Sequence, residues 1–347
     1  MDQRWAFLGV CARGSARAIY DYADAGEKLA MFRSPLILCV DPPSTRWDGK
    51  LAAESTRKFV RRFGRQHVVR VGTWGADAFT SVDKLVLARG VTHLYIQKGG
   101  QADGLLSKVP GVRNCVHAVF DGRSPHGDAY ARVSPAVPGT APVVPHVVWP
   151  RASTGGDMRE ELHIPQDATV FCRHGGATTF SIPFVKQVVL QLAEAHPRLT
   201  FLFLNTKRFG PANAALSNVI FLAARDDDEE LSRFIRTCDA MLHARADGET
   251  FGLAIAEFTA HNRPVITSRA HHARGGARFH LDTLGDAGFY YDDAASLRQQ
   301  LLGFNRTLVQ SGDWRAYKAF APDKVMLLFR KTFGLPSHVH EPVVRRA

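Results

Sequence analysis

The chain has 347 residues, 45% of them hydrophobic and 22% charged, a globular composition with room for two domains of roughly 100–200 residues each. Lys and Arg outnumber Asp and Glu by 44 to 33, a net charge of +11, which suits a polyanion, an anionic membrane surface or a phosphate-bearing ligand without choosing among them. The apolar stretch after Trp5 ends at Gly9, too short for a signal-peptide core or a membrane span, and the five cysteines form no C-x-x-C pair, so they read as buried free thiols of a soluble cytoplasmic protein.

From Trp5 onward, short β-rich apolar runs alternate with stretches of helical period, the pattern of a parallel sheet with crossover helices. Strands are expected at Trp5 to Val10, Pro35 to Val40, Val68 to Val71, Leu94 to Gln97 and Cys115 to Phe120, with Pro142 to Val148 closing the series. Helices are expected near Ser15 to Phe32, Gly49 to Phe63 and Ala76 to Arg89. Lys58, Arg61, Arg62 and Arg65 interleave with Phe59, Val60 and Phe63 at helical spacing and read as a solvated face, so no nucleic-acid partner is expected. A boundary is placed near Pro150. A second series follows, with strands at Thr169 to Arg173, Leu199 to Asn205, Val219 to Leu222, Ala240 to Ala244 and Pro264 to Thr267, and helices over Pro183 to Ala195, after Asp226-Asp227-Asp228, and over Phe251 to His261. The expected fold class is therefore α/β, two Rossmann-like doubly wound parallel-sheet domains facing a cleft. They span residues 1–150 and 151–310, and residues 311–347 form a C-terminal helical segment and a polar tail, His338 to Ala347, expected to fray.

The most informative stretch runs from His243 to Phe258, because it joins a buried strand to a helix through Gly248-Glu249-Thr250-Phe251-Gly252-Leu253. The N–H groups of Phe251, Gly252 and Leu253 are expected to be unsatisfied first-turn donors, which with the helix dipole favour an anion such as a diphosphate. Glu257, six residues into that helix and roughly 9 Å along it, suits a ribose hydroxyl pair, while Glu249 stays in the loop beside the sugar. An acidic cap and an ordinary amphipathic helix would give the same spacing.

The segment Glu-Thr-Phe-Gly-Leu-Ala-Ile-Ala-Glu, Glu249 to Glu257, resembles the signature of glycosyltransferase family 4, in which two Glu are separated by seven residues and Phe-Gly-Leu follows the first. The resemblance implies the two-domain GT-B fold and a retaining transfer of a hexose from a nucleotide-diphosphate sugar to a hydroxyl of a glycan, lipid- or protein-linked acceptor. Glu249 would then contact the donor sugar and Glu257 the ribose, with Thr250, Phe251, Gly252 and Leu253 at the donor. Arg173, in Cys172-Arg173-His174-Gly175-Gly176, falls where the family carries a diphosphate-binding Arg; the alternative is an Arg that bonds a nearby helix end. The family's Lys shortly after that Arg is missing, since Ala177 to Ile182 hold none, and Lys207 is the candidate replacement, or else a solvent-facing lysine. His117, in Cys115-Val116-His117-Ala118-Val119-Phe120, resembles the family's cleft His, or is a satisfied core residue. Gly14, in Gly9-Val10-Cys11-Ala12-Arg13-Gly14-Ser15, would lay backbone against the donor; this is not a complete dinucleotide fingerprint. Residues near Asp313 to Phe333 are expected to cross back to the first domain.

No metal and no cofactor is expected. His271 and His272 are adjacent rather than at ligand spacing, His280 adds no clear third ligand, and the three Asp before Glu229 read as helix caps. GDP-mannose, UDP-glucose and related donors are all compatible, with a GDP-sugar favoured slightly over a UDP-sugar. Peripheral membrane contact and a homodimer stay open. The rival readings are a nucleotide-sugar epimerase or hydrolase on the same fold and a non-catalytic nucleotide-sugar or carbohydrate binding protein.

Overall fold

The computed structural model describes residues 3–11, 13–41, 46–150, 155–210, 216–225, 227–270 and 276–334. Asp226, His271, His272 and the polar tail lie outside them.

Two six-stranded parallel sheets, one from each half of the chain, form the molecule's frame. The first half runs β1 (Trp5–Val10), α1 (Arg13–Lys28), β2 (Leu36–Asp41), α2 (Arg46–Phe63), β3 (Val68–Thr73), α3 (Ala76–Ala88), β4 (His93–Lys98), β5 (Arg113–Ala118) and β6 (Ala129–Arg132). The second runs β7 (Thr169–Arg173), α4 (Pro183–Ala195), β8 (Leu199–Leu204), β9 (Val219–Leu222), α5 (Asp228–Thr237), β10 (Ala240–Leu242), β11 (Gly248–Glu249), α6 (Leu253–Ala260), β12 (Val265–Ser268), β13 (Ala277–Arg278), α7 (Phe279–Leu284), β14 (Gly288–Tyr291), α8 (Ala294–Leu302), α9 (Arg306–Gln310) and α10 (Pro322–Phe329). The strand orders are β3-β2-β1-β4-β5-β6 and β14-β12-β10-β7-β8-β9, with β11 and β13 paired separately. In each sheet the order reverses beside the first strand, between β1 and β4 and between β7 and β10. Ligand crevices of open α/β sheets form at the carboxyl ends of such strands.

The strands read as continuous apolar runs because both faces of each sheet are covered. Trp5 and Phe7 of β1 point into one core and Ala6 and Leu8 into the other. Val170 and Cys172 of β7 likewise face away from Phe171, which packs with Phe201 and Phe203 of β8. The last helix belongs to the first core: Val325, Met326 and Phe329 of α10, with Phe333 beyond it, pack against Trp5, Phe7, Tyr22 and Tyr95.

Two sequence expectations are corrected here. The stretch Pro142 to Val148 forms no strand beyond a single bridge from Val143 to Arg132, because Pro142 and Pro145 offer no N–H to a ladder; β6 takes the edge instead, in a stretch that reads as loop, pairing Cys115 with Ala129 and His117 with Ala131. Four cysteines are not free thiols: Cys11 is bonded to Cys39 and Cys172 to Cys238, with Cα atoms 5.2 and 5.6 Å apart. Only Cys115 is free, and burial pushes its thiol up to about 12. The cysteine pattern therefore gives no support for a reducing compartment. Among the described residues, no helix is long and apolar enough to cross a membrane.

Candidate functional site

At the carboxyl end of β10 the chain turns through residues 243–252 before α6 begins. Gly252 caps that helix in the left-handed region, φ +86°, and a Cβ there would lie 3.3 Å from the Glu249 Cβ and 3.4 Å from the Tyr317 hydroxyl, so glycine is required. The helix therefore starts at Leu253, two residues later than the sequence reading. Its donors without intrahelical acceptors are the N–H groups of Leu253, Ala254 and Ile255, while Ala256 already donates to Gly252 O at 2.9 Å. Glu257 is thus four residues past the first helical position, roughly 6 Å along the axis. Across the cleft stands the first turn of α1, where a Cβ on Gly14 would meet only Leu253 Cδ1, at 3.5 Å. Two helix starts, one from each half of the chain, thus come together there, and each favours negative charge nearby.

Glu249 lies within the turn. Its Oε2 accepts from Arg245 Nη1 at 2.9 Å, and its Oε1 lies 3.4 Å from His243 Nε2, while His243 Nδ1 meets the Thr267 hydroxyl at 2.8 Å. Burial works against ionisation, but His243 and Arg245 outweigh it and hold the carboxyl below the usual range. Arg173, at the end of β7, is 3% exposed. Its Nη1 donates to Thr206 Oγ1 at 2.5 Å and to Asn205 O at 3.3 Å; its Nη2 donates to Gly176 O at 2.7 Å and to the Thr179 hydroxyl. Burial lowers this guanidinium to about 10, with Glu249 opposing and Arg245 reinforcing the shift. In this structure Arg173 ties together the loops after β7 and β8. Lys207 is exposed; its N–H donates to Ala177 O at 2.8 Å, and its amine has no partner among the described residues.

Glu257 is almost enclosed. Its Oε1 accepts from Arg17 Nε of α1 at 2.8 Å, and its Oε2 lies 3.1 Å from His174 Nε2. Arg17, 6% exposed, also donates to Asp228 of α5, which accepts from Lys58 of α2 at 3.0 Å, and Arg61 reaches Asp227 at 2.9 Å. The basic face of α2, read from sequence as solvated, thus meets the acidic start of α5. Asp227 is also the cap of that helix, accepting from the N–H groups of Glu229 and Glu230.

The remaining expected donor residues take packing positions. Thr250 O accepts from the Ser134 hydroxyl. The Phe251 ring is buried among His146, Phe279, Tyr317 and Phe320, with centroids 5.0–5.6 Å away, and its carbonyl accepts from Tyr317 at 2.8 Å. His117 is fully buried, its Nδ1 2.8 Å from the Tyr95 hydroxyl, and burial holds it down to about 4, the surroundings of a core histidine. His280 packs against His243 at 5.1 Å. Among the described residues no three His, Cys, Asp or Glu side chains are grouped to hold a metal ion. Sequence reasoning missed Arg17, Lys58, His174 and Arg245. The available signal was Arg17 with Asp21 at i+4 and Asp24 at i+7, a charged stripe along a helix otherwise rich in Ala, Ile and Tyr.

Solved structures share this fold over nearly the whole chain. HepE of Anabaena, determined with UDP and glucose, is 14% identical over 95% of this chain and 98% of its own, with a TM-score of 0.68. The chain has the GT-B fold. A glycosyltransferase from Rickettsia africae is 14% identical over 95% of this chain and 94% of its own, with a TM-score of 0.61. A candidate UDP-N-acetylglucosamine 2-epimerase from Listeria monocytogenes is 12% identical over 95% and 94%, with a TM-score of 0.55. No protein-family profile and no curated protein matches the sequence.

Proposed function

We propose that this chain is a glycosyltransferase that binds a UDP-sugar between the two facing helix termini and transfers the sugar, with retention, to a hydroxyl of a glycan or glycoconjugate. The observation that carries the reading is the approach of two helix starts: the first turn of α1 at Gly14 lies against Leu253 at the start of α6, with Glu249 just before that start and Glu257 just after it. The helix dipoles and the N–H groups of Leu253 and Ala254 take the diphosphate. Glu257 takes the ribose, exchanging contact with Arg17 for hydroxyl hydrogen bonds, and Arg173 fixes the loop beneath the phosphates. As the bond from the anomeric carbon to the diphosphate breaks, positive charge grows on the sugar. The ionised Glu249 lies beside it, and the acceptor hydroxyl attacks from the leaving-group face, its proton passing to the departing diphosphate oxygen. The lean toward a GDP-sugar finds no support in the site, and a UDP-sugar is preferred because HepE was solved with UDP-glucose.

Calorimetric titration with UDP- and GDP-sugars tests this. One UDP-sugar is expected to bind, and Glu257→Ala to weaken it about tenfold or more by removing hydroxyl acceptors; a folded protein that binds none of them sinks the reading. The Listeria likeness keeps one rival in view. Donor turnover as complete without acceptor as with it would favour an epimerase or hydrolase.

A further inference from the structure

The cleft gathers positive charge for an anion, but its most buried cation is already engaged. All four acceptors around Arg173 come from its own and the neighbouring loop, and its terminal nitrogens have nothing left to offer a ligand. Arg245 is different. It sits on the turn that leads from β10 into Glu249, its side chain is 27% exposed, and among the described residues only Nη1 is engaged, by Glu249 Oε2 at 2.9 Å. Its Nε is buried and has no partner among the described residues. A guanidinium that spends one terminal nitrogen on a carboxylate keeps its Nε edge as a fork, the shape that takes two oxygens of one phosphate. The Arg245 charge is also close enough to Arg173 to disfavour that residue's protonation, and an anion entering beside them relieves their repulsion.

We propose that Arg245 is the direct ligand of the β-phosphate of the donor's diphosphate, its Nε edge on that phosphate and its Nη1 held by Glu249, with Arg173 shaping the loop instead of touching the ligand. The assignment rests on the donor-site reading above. It also gives Glu249 a second duty, since the carboxylate that faces the sugar orients the cation that holds the leaving group. Sugar and diphosphate are then read by one coupled pair.

The test is calorimetry with UDP and UMP on the wild type, Arg245→Gln, Arg245→Lys and Arg173→Gln, with thermal unfolding of each. Arg245→Gln is expected to weaken UDP by about 30-fold, the range for losing charge-assisted hydrogen bonds to one phosphate. UMP should change by less than about threefold and the melting temperature by less than about 2 °C. Arg245→Lys should fall between, because it restores the charge without the fork. Arg173→Gln should instead lower the melting temperature. An Arg245→Gln protein that binds UDP within about twofold of wild type overturns the assignment, as does one that loses UMP and UDP equally. A folded wild type that binds neither nucleotide overturns the donor-site reading itself, a result distinguishable from both.

Discussion

Replacing Arg17 with alanine is expected to destabilise the chain by about 3–5 kcal/mol, the cost of leaving a buried carboxylate without its cation. Three carboxylates surround this guanidinium: Glu257 at 2.8 Å, Asp228 in direct contact and Asp21 at 3.8 Å. Burial alone would discourage its charge, yet these neighbours raise its proton affinity well above normal, so the ion is committed in the folded state. Lys58 stays on Asp228 after the substitution, and Glu257 loses its guanidinium while His174 remains 3.1 Å from its Oε2. Arg17 comes from one sheet's helices and Glu257 and Asp228 from the other's, so the loss falls on the contact between the halves. Urea unfolding measures it, and a cycle with Asp228→Asn isolates the pair. A loss below about 1 kcal/mol would mean that the pair is solvated and adds little.

Glu249→Gln is expected to lower kcat with a UDP-sugar roughly 100-fold or more while donor affinity changes by less than tenfold, because a carboxylate beside developing positive charge acts mainly in the transition state. The pH dependence carries a second signature. Glu249 is held below the usual carboxylate range, so its charge and the pairings that depend on it are complete above the ordinary glutamate range and are lost as pH falls through the lowered value. In His243→Asn one of the two groups responsible is gone, and the acid limb of the kcat profile should move to higher pH. A limb that stays in place would leave Glu249 without a titrating role.

Much of this arrangement is legible in the sequence. The doubly wound order follows from apolar runs whose alternate residues, such as Phe201 and Leu202, fill opposite cores. The strand-to-helix turn at Glu249 is visible from its glycines and carboxylates. What the sequence could not place was anything decided by contact between the halves. Arg17, 240 residues from Glu257 along the chain, meets it only when both sheets are built. The start of α6 moved two residues because a left-handed Gly252 supplies the cap, a backbone choice that Phe-Gly-Leu allows and does not announce. The cysteine pairs were missed for a similar reason: residues 28 and 66 positions apart become neighbours through strand order, which periodicity does not state. His117 was open between two positions because a strand register does not say how much of a side chain its neighbours will cover.

The return of α10 to the first core bears on how the chain is made. Val325, Met326, Phe329 and Phe333 fill the space over Trp5, Phe7 and Tyr95, with Gln3 donating to Gly334 O at 2.6 Å. On the ribosome, roughly 200 residues separate the end of β6 from these rings, a delay on the order of 10–40 s at ordinary synthesis rates. For that interval the first sheet has all its strands but an uncovered aromatic face. The second half, translated later, can close its own cores sooner after its strands emerge, so the part of the protein made first is the part finished last.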